Sequence, residues 1–241
     1  MLRLENLTYS VPASETGLGR TKILDDISLE IPDGKYIVIT GPNGGGKTTL
    51  AKAIMGIVKP ESGRITLDGM DITNLGITER SEAGISYGFQ QPPRFKGLTV
   101  RDLLSIAANK KLKRDECCKY LTKVGLCAEE YLNREVDASL SGGEVKRIEI
   151  ATVLARGAKI MIFDEPEAGI DLWSFQRLTK TFRELHEETG CTLIVISHQE
   201  RIISQADEVL LVADGKLDKR GRPEEILPSI DAVFDKPCLN D

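Results

Sequence analysis

Apolar and polar residues alternate through "LRLENLTYSV", "ILDDISLEIP" and "GRITLDG", with Asp-Gly or Pro-Asp-Gly at the ends. That period of two, punctuated by turn residues, predicts an antiparallel β element in the first third of the chain. Embedded in it, "KYIVIT" is a continuous apolar run of the kind buried in a parallel sheet. The period then turns helical from about Val100 to Gly157, in "TVRDLLSIAANKKL", "DECCKYLTKVGL" and "GGEVKRIEIATVLARG". Two further buried-type strands follow, "KIMIFDE" and "CTLIVISH". The segment between them, "DLWSFQRLTKTFRELHEETG", predicts a helix with Leu172, Phe175, Leu178, Phe182 and Leu185 on one face and Gly190 past its end. Strand, helix, strand is the α/β pattern. Two short strands around Asp214-Gly215 are expected to close the chain, and no internal repeat is present.

The 241 residues suit one large domain with room for a proper core. Asp and Glu (37) outnumber Lys and Arg (32), a net charge of -5 that argues against nucleic acid as a partner. No stretch approaches 18 apolar residues, and the first residues alternate where a signal peptide would be continuously apolar, so a soluble, cytoplasmic protein is expected. The five cysteines, Cys117, Cys118, Cys127, Cys191 and Cys238, contain no C-x-x-C pair and indicate neither a disulfide framework nor a zinc site.

The chemistry begins at "GPNGGGKTTL", which matches G-x-x-x-x-G-K-[ST] directly after a predicted strand and at the opening of a helix. Gly41, Gly44, Gly45 and Gly46 let the backbone wrap phosphates. The helix N-terminus adds its dipole, Lys47 reaches the outer phosphates, and Thr48 is placed to hold Mg²⁺. "KIMIFDEPEAGID" is an apolar strand ending in Asp164 and Glu165 at the edge where ligands of α/β folds bind. Because successive strand residues point opposite ways, one carboxylate can serve the metal while the other orients and deprotonates an attacking water. "LSGGEVKRIEI" sets Ser141, Gly142 and Gly143 at the start of a helix whose Val145, Ile148 and Ala155 can face inward, a second anion-binding helix N-terminus.

Together these residues resemble the nucleotide-binding domain of the ABC ATPase superfamily over essentially the whole chain. Gly41 to Thr49, with Asn43, Lys47, Thr48 and Thr49, resemble Walker A; Gln90 the Q-loop; Leu140 to Glu144 the signature; Ile160 to Glu165 Walker B; Ala168 to Asp171 the D-loop; and His198 the switch histidine. The resemblance implies an α/β P-loop NTPase of ABC type over 1–241, with a mixed core sheet, an antiparallel β subdomain and a helical subdomain at about 92–157. It implies an ATPase using ATP and Mg²⁺, with Glu165, His198 and Gln90 catalytic and Thr48, Gln90 and Asp164 at the metal. It also implies a head-to-tail dimer, in which ATP on one copy's phosphate loop is completed by the other's Ser141, Gly142 and Gly143.

Departures from the usual importer pattern point further. Importers commonly read S-G-G-Q then Q-R where this chain reads "SGGEVKR", and L-D-P where it reads "GIDLW". Val11, with Tyr9 two residues earlier, stands where transport ATPases usually carry an aromatic residue for adenine. These features are similar to the SufC ATPases of Suf-type iron–sulfur cluster assembly, in their compact form from anaerobes and archaea. That similarity implies a soluble SufB/SufD-like scaffold as partner, gripped by the loop at Gln90 to Gly97. The alternative is the ATPase subunit of a membrane transporter, with the same loop receiving a membrane partner.

Overall fold

The computed structural model describes residues 1–13 and 19–234, the last six as backbone alone. Cys238 lies outside them. Two compact units emerge, Met1–Ala83 with Ile194–Asp241, and Gly84–Leu193.

In the first unit, β1 (Leu2–Pro12) and β2 (Arg20–Ile31) form the expected antiparallel element. After β3 (Tyr36–Thr40) and α1 (Lys47–Met55), β4 (Ser62–Leu67) and β5 (Met70–Asp71) complete a sheet in the order β2-β1-β4-β5. Alternation dictates its faces: Leu2, Leu4, Leu24, Leu29, Ile65 and Leu67 are buried while their neighbours reach solvent. The ladder shifts register near Asn6 and Asp26, both left-handed (φ 50° and 60°), and the Asn6 amide donates to Asp26 at 2.8 Å. The short helix α2 (Ile77–Glu82) carries Arg80, which is 1% exposed and donates to the carbonyls of Ala53 and Ile54 in the last turn of α1.

In the second unit, β6 (Ile85–Gly88) is followed by β7 (Phe95–Thr99), α3 (Val100–Ala107), α4 (Arg114–Lys123), α5 (Ala128–Tyr131) and β8 (Glu135–Val136). Then come α6 (Gly142–Arg156), β9 (Ile160–Asp164), α7 (Leu172–Thr189) and β10 (Thr192–Ile196), in which the boundary between units falls. Strands β6 and β9 are parallel. Helix α7 buries Phe175, Leu178, Phe182 and Leu185, with the Phe163 and Phe182 ring centroids 4.8 Å apart. Leu172, expected on that face, is instead 63% exposed. It is the first residue of the helix, and its side chain leans back beyond the turns that pack against the core. The β7–β8 pair was not expected from the sequence; five residues against two give too short a pattern to read.

The chain returns to the first unit through α8 (Glu200–Ile203), β11 (Glu208–Ala213), β12 (Lys216–Gly221) and α9 (Pro223–Phe234). Strand β11 is parallel to β3 and antiparallel to β12, so the sheet is mixed. The two strands around Asp214-Gly215 are as expected, but α9 follows them.

Candidate active site

The phosphate loop, in the first unit, grows from β3, whose five residues are all buried. Gly41 leaves it at φ 136°, and a side chain there would stand 2.1 Å from the Val212 carbonyl of β11; only glycine fits. Gly46 precedes α1 at φ 101° and makes no side-chain cap, and the first turn holds no acidic residue. A helix start with a glycine cap and no acidic residue in its first turn suits an anion. Lys47 is 5% exposed, and its Nζ donates to the Gly41 and Pro42 carbonyls at 2.8 Å each. The ammonium is thus folded over the loop it would share with phosphate. Thr48 and Thr49 lie half-buried in the same turn, with Asn43 and Gly44 exposed at the tip. His198, also half-buried, follows Ser197, whose amide donates to Ile39 at 3.2 Å, two residues before Gly41.

The Walker B carboxylates lie in the second unit. Asp164 ends β9 at 1% exposure and accepts from the Tyr87 hydroxyl of β6 at 2.8 Å. Burial, reinforced by the Asp164 charge, holds the Tyr87 pKa far above its ordinary value, so the phenol remains a donor. Glu165 does not continue the strand: its φ is 44°, and its carboxylate accepts from Gln90 Nε2 at 2.6 Å. The two carboxylates diverge through this left-handed turn and not through strand alternation as expected. Gln90 engages Glu165 with its nitrogen, which leaves the amide oxygen as the atom suited to a cation.

The signature segment opens α6. Ser141 Oγ accepts from Glu144 N at 3.3 Å while Glu144 Oε2 accepts from Ser141 N at 2.7 Å, a capping box. The Tyr131 hydroxyl also donates to Glu144, and these two donors pull its carboxyl down to about 2. Gly142 has open space where a side chain would stand; at Gly143 a Cβ would lie 3.0 Å from the Gly169 carbonyl, so the D-loop abuts the signature. Val145, Ile148 and Ala155 are buried as expected.

Two side chains of α6, Lys146 of the "SGGEVKR" segment and Glu149, which sequence reasoning passed over, grip the segment before the Q-loop glutamine. Glu149 accepts from the Phe89 amide at 2.8 Å, and Lys146 donates to the Phe89 carbonyl. Lys146 also reaches the Gln90 and Asp164 carbonyls at 3.4 Å each and Glu149 at 3.4 Å, with 2% of its side chain exposed. Burial pushes the ammonium down and the Glu149 carboxyl up, each partly countered by the other. The i, i+3 spacing is visible in the sequence; that both side chains meet the backbone of one residue, Phe89, is not.

The family model described as ABC transporter matches residues 24–168. An uncharacterized ABC transporter ATP-binding protein, MJ0035 of Methanocaldococcus jannaschii, is 40% identical over 216 residues, covering 86% of each chain. The chain belongs to the ABC transporter ATPase family. This cassette is also 34% identical over 239 residues to the energy-coupling factor transporter ATP-binding protein EcfA1 of Mycoplasmopsis pulmonis, covering 97% of this chain and 87% of that one. In fold it superposes with TM-score 0.83, at 24% identity, on the ATP-binding cassette MJ0796, solved as a post-hydrolysis dimer bound to ADP and Pi, over 92% of this chain and 99% of that one. The cassette is an ATP-binding, ATP-hydrolysing enzyme of the P-loop class. No described helix is long and apolar enough to cross a membrane.

Proposed function

We propose that this cassette is the ATP-driven motor subunit of a larger complex and that it works as a head-to-tail pair of identical chains. The observation that carries the reading is two glycine-rich helix starts in one chain, at Lys47 on α1 and at Ser141 on α6, each of a kind that can hold an anion. A nucleotide on one phosphate loop needs a single further cradle, which the second copy's Ser141, Gly142 and Gly143 supply.

Within that site Gly41, Asn43, Gly44, Gly45, Gly46, Lys47, Thr48 and Thr49 hold the phosphates. Glu165 takes the proton of the attacking water, and His198 steadies the γ-phosphate or that water. Thr48, Gln90 and Asp164 offer only oxygen donors, the set a hard cation prefers, and so fit Mg²⁺. When bound, Mg²⁺ would offset the negative charge gathered on the phosphates.

For the load, the transporter names of the relatives favour a membrane-embedded partner. The docking surface of this reading is an apolar groove beside the Q-loop, lined by Tyr87, Phe89, Pro93, Phe95, Leu103 and Ile106. A second reading, a soluble SufB/SufD-like scaffold of iron–sulfur assembly, rests on the resemblance of the "SGGEVKR" signature alone. Anaerobic isolation of the tagged chain from soluble and detergent-extracted fractions separates the two. A stoichiometric multi-span membrane protein that stimulates ATP hydrolysis establishes the transporter motor. A soluble partner carrying iron and sulfide establishes the scaffold reading and overturns the first.

A further inference from the structure

The most exposed large apolar side chains in the described residues are not in the Q-loop groove alone. Leu172 and Trp173, the first two residues of α7, are 63% and 79% exposed. They are held there rigidly: Asp171 Oδ1 accepts from the Trp173 and Ser174 amides at 3.1 and 3.0 Å, and Asp171 Oδ2 accepts from the Ser174 hydroxyl at 2.6 Å. A fixed helix cap therefore presents an indole and an isobutyl group to water, an arrangement that costs free energy unless something covers them.

We infer that Leu172 and Trp173 form an apolar anchor for a second copy of this chain, beside the shared nucleotide site. The inference rests on the head-to-tail reading above and extends it to residues outside the nucleotide motifs. The choice of occupant follows from position. Leu172 and Trp173 follow directly on Ala168 to Asp171, and the Gly169 carbonyl of that loop lies 3.0 Å from where a Cβ on Gly143 would stand. The pair thus continues the surface that carries Ser141, Gly142 and Gly143, the surface a second copy's phosphate loop must approach to complete a site. The Q-loop groove is built from other elements, β6, β7, α3 and α6, and serves a different partner.

The residue types fit such an anchor. Tryptophan is enriched among the few side chains that dominate interfaces, because it covers much area with few rotatable bonds. Beside it Gln176, Arg177 and Lys180 of α7, with Thr122 and Lys123 at the end of α4, line a shallow concavity. Arg177 Nε donates to the Thr122 carbonyl at 3.0 Å, and Lys123 pairs with Glu188 at 2.7 Å, so the rim is braced before any partner arrives. Braced polar residues beside an exposed apolar anchor suit the polar rim of a protein interface.

Trp173 is the only tryptophan in the chain, which makes the test direct. The full-length Glu165→Gln chain is titrated with ATP and Mg²⁺ while sedimentation reports dimer formation and acrylamide quenching reports Trp173 accessibility. Burial predicts a blue-shifted emission and at least a twofold loss of quenching that track the dimer fraction. In the same background Trp173→Ser is expected to weaken ATP-dependent dimerisation by roughly tenfold to thirtyfold, as for an interface hot spot. A circular-dichroism melt matching the parent shows that the variant is folded; Trp173→Phe, which keeps an apolar ring, is expected to recover most of the loss. Dimers that form while Trp173 stays fully quenchable, with Trp173→Ser dimerising as the parent does, overturn the anchor and leave the head-to-tail reading intact. Failure of the Glu165→Gln chain to dimerise at all overturns the head-to-tail reading and the anchor with it.

Discussion

Gln90 and Glu165 are joined side chain to side chain, Nε2 to Oε2, at 2.6 Å. The bond links the loop that faces the apolar groove to the carboxylate that closes Walker B. The amide holds one carboxylate oxygen of Glu165 in place, so the Q-loop carries the partner that orients it. A shift of the Q-loop therefore changes what Glu165 can do.

This pairing makes Glu165 testable in both its roles. Glu165→Gln preserves size and leaves an amide beside Gln90, so ATP affinity is expected to stay within about threefold. ATP turnover is expected to fall by about 10²–10⁴-fold, the usual contribution of a positioned base. Titration calorimetry for binding and phosphate release for turnover check the two halves separately. Undiminished turnover removes Glu165 from the catalytic role.

Arg80 supports the helix that begins at the phosphate loop. Its guanidinium donates to four carbonyls, those of Ala53, Ile54, Thr73 and Leu75, at 2.6–3.0 Å. Arg80→Met would leave several of these acceptors buried without a donor, each at a cost of about 1–3 kcal/mol. A total loss of about 3 kcal/mol or more is expected in urea unfolding followed by circular dichroism, and Arg80→Lys is expected to recover less than half of it. An Arg80→Met chain as stable as its parent would show that water replaces the fork.

The fate of Arg80 also shows what the sequence disclosed. Walker A was legible because its chemistry is local: a strand, a run of glycines and a helix start need no distant partner to be read. The requirement at Gly41 was legible only as a motif, since the carbonyl it must avoid belongs to Val212, far along the chain. Asp164 was readable as a strand-end carboxylate, but its Tyr87 donor comes through the parallel register of β6 and β9. Likewise nothing in "FDEPEA" marks the left-handed turn at Glu165. Short-range pattern carries elements and motifs; the cross-chain contacts that aim the side chains carry no signature of their own.

The capping box at Ser141 predicts a pH dependence with a defined sign. Glu144 is held at about 2 in the folded chain by the Tyr131 hydroxyl and the Ser141 amide, against an ordinary 4.5. Its contribution to stability is therefore fully present above about pH 4.5 and is lost as pH falls toward 2, because the unfolded chain takes up the proton first. Glu144→Gln removes that linkage. The difference in melting temperature between parent and variant is expected to shrink steadily across this window in scanning calorimetry. A constant difference from pH 2 to 5 would refute the assignment to Glu144.

Complementation tests the shared site. Lys47→Ala removes the ammonium that now rests on the Gly41 and Pro42 carbonyls, and Ser141→Arg places bulk and charge at the cradle on α6. Alone, each variant makes dimers in which both sites are damaged. Mixed, a Lys47→Ala chain still offers an intact Ser141, and a Ser141→Arg chain an intact Lys47, so each mixed dimer contains one complete site and one doubly damaged one. Random pairing at equal concentration makes half the dimers mixed, and recovered ATP hydrolysis is expected to reach about a quarter of the parent rate if the sites turn over independently. A recovery well below that value means the two sites must fire together. Normal hydrolysis by each variant alone means that neither Lys47 nor Ser141 belongs to a shared site, and the head-to-tail reading fails.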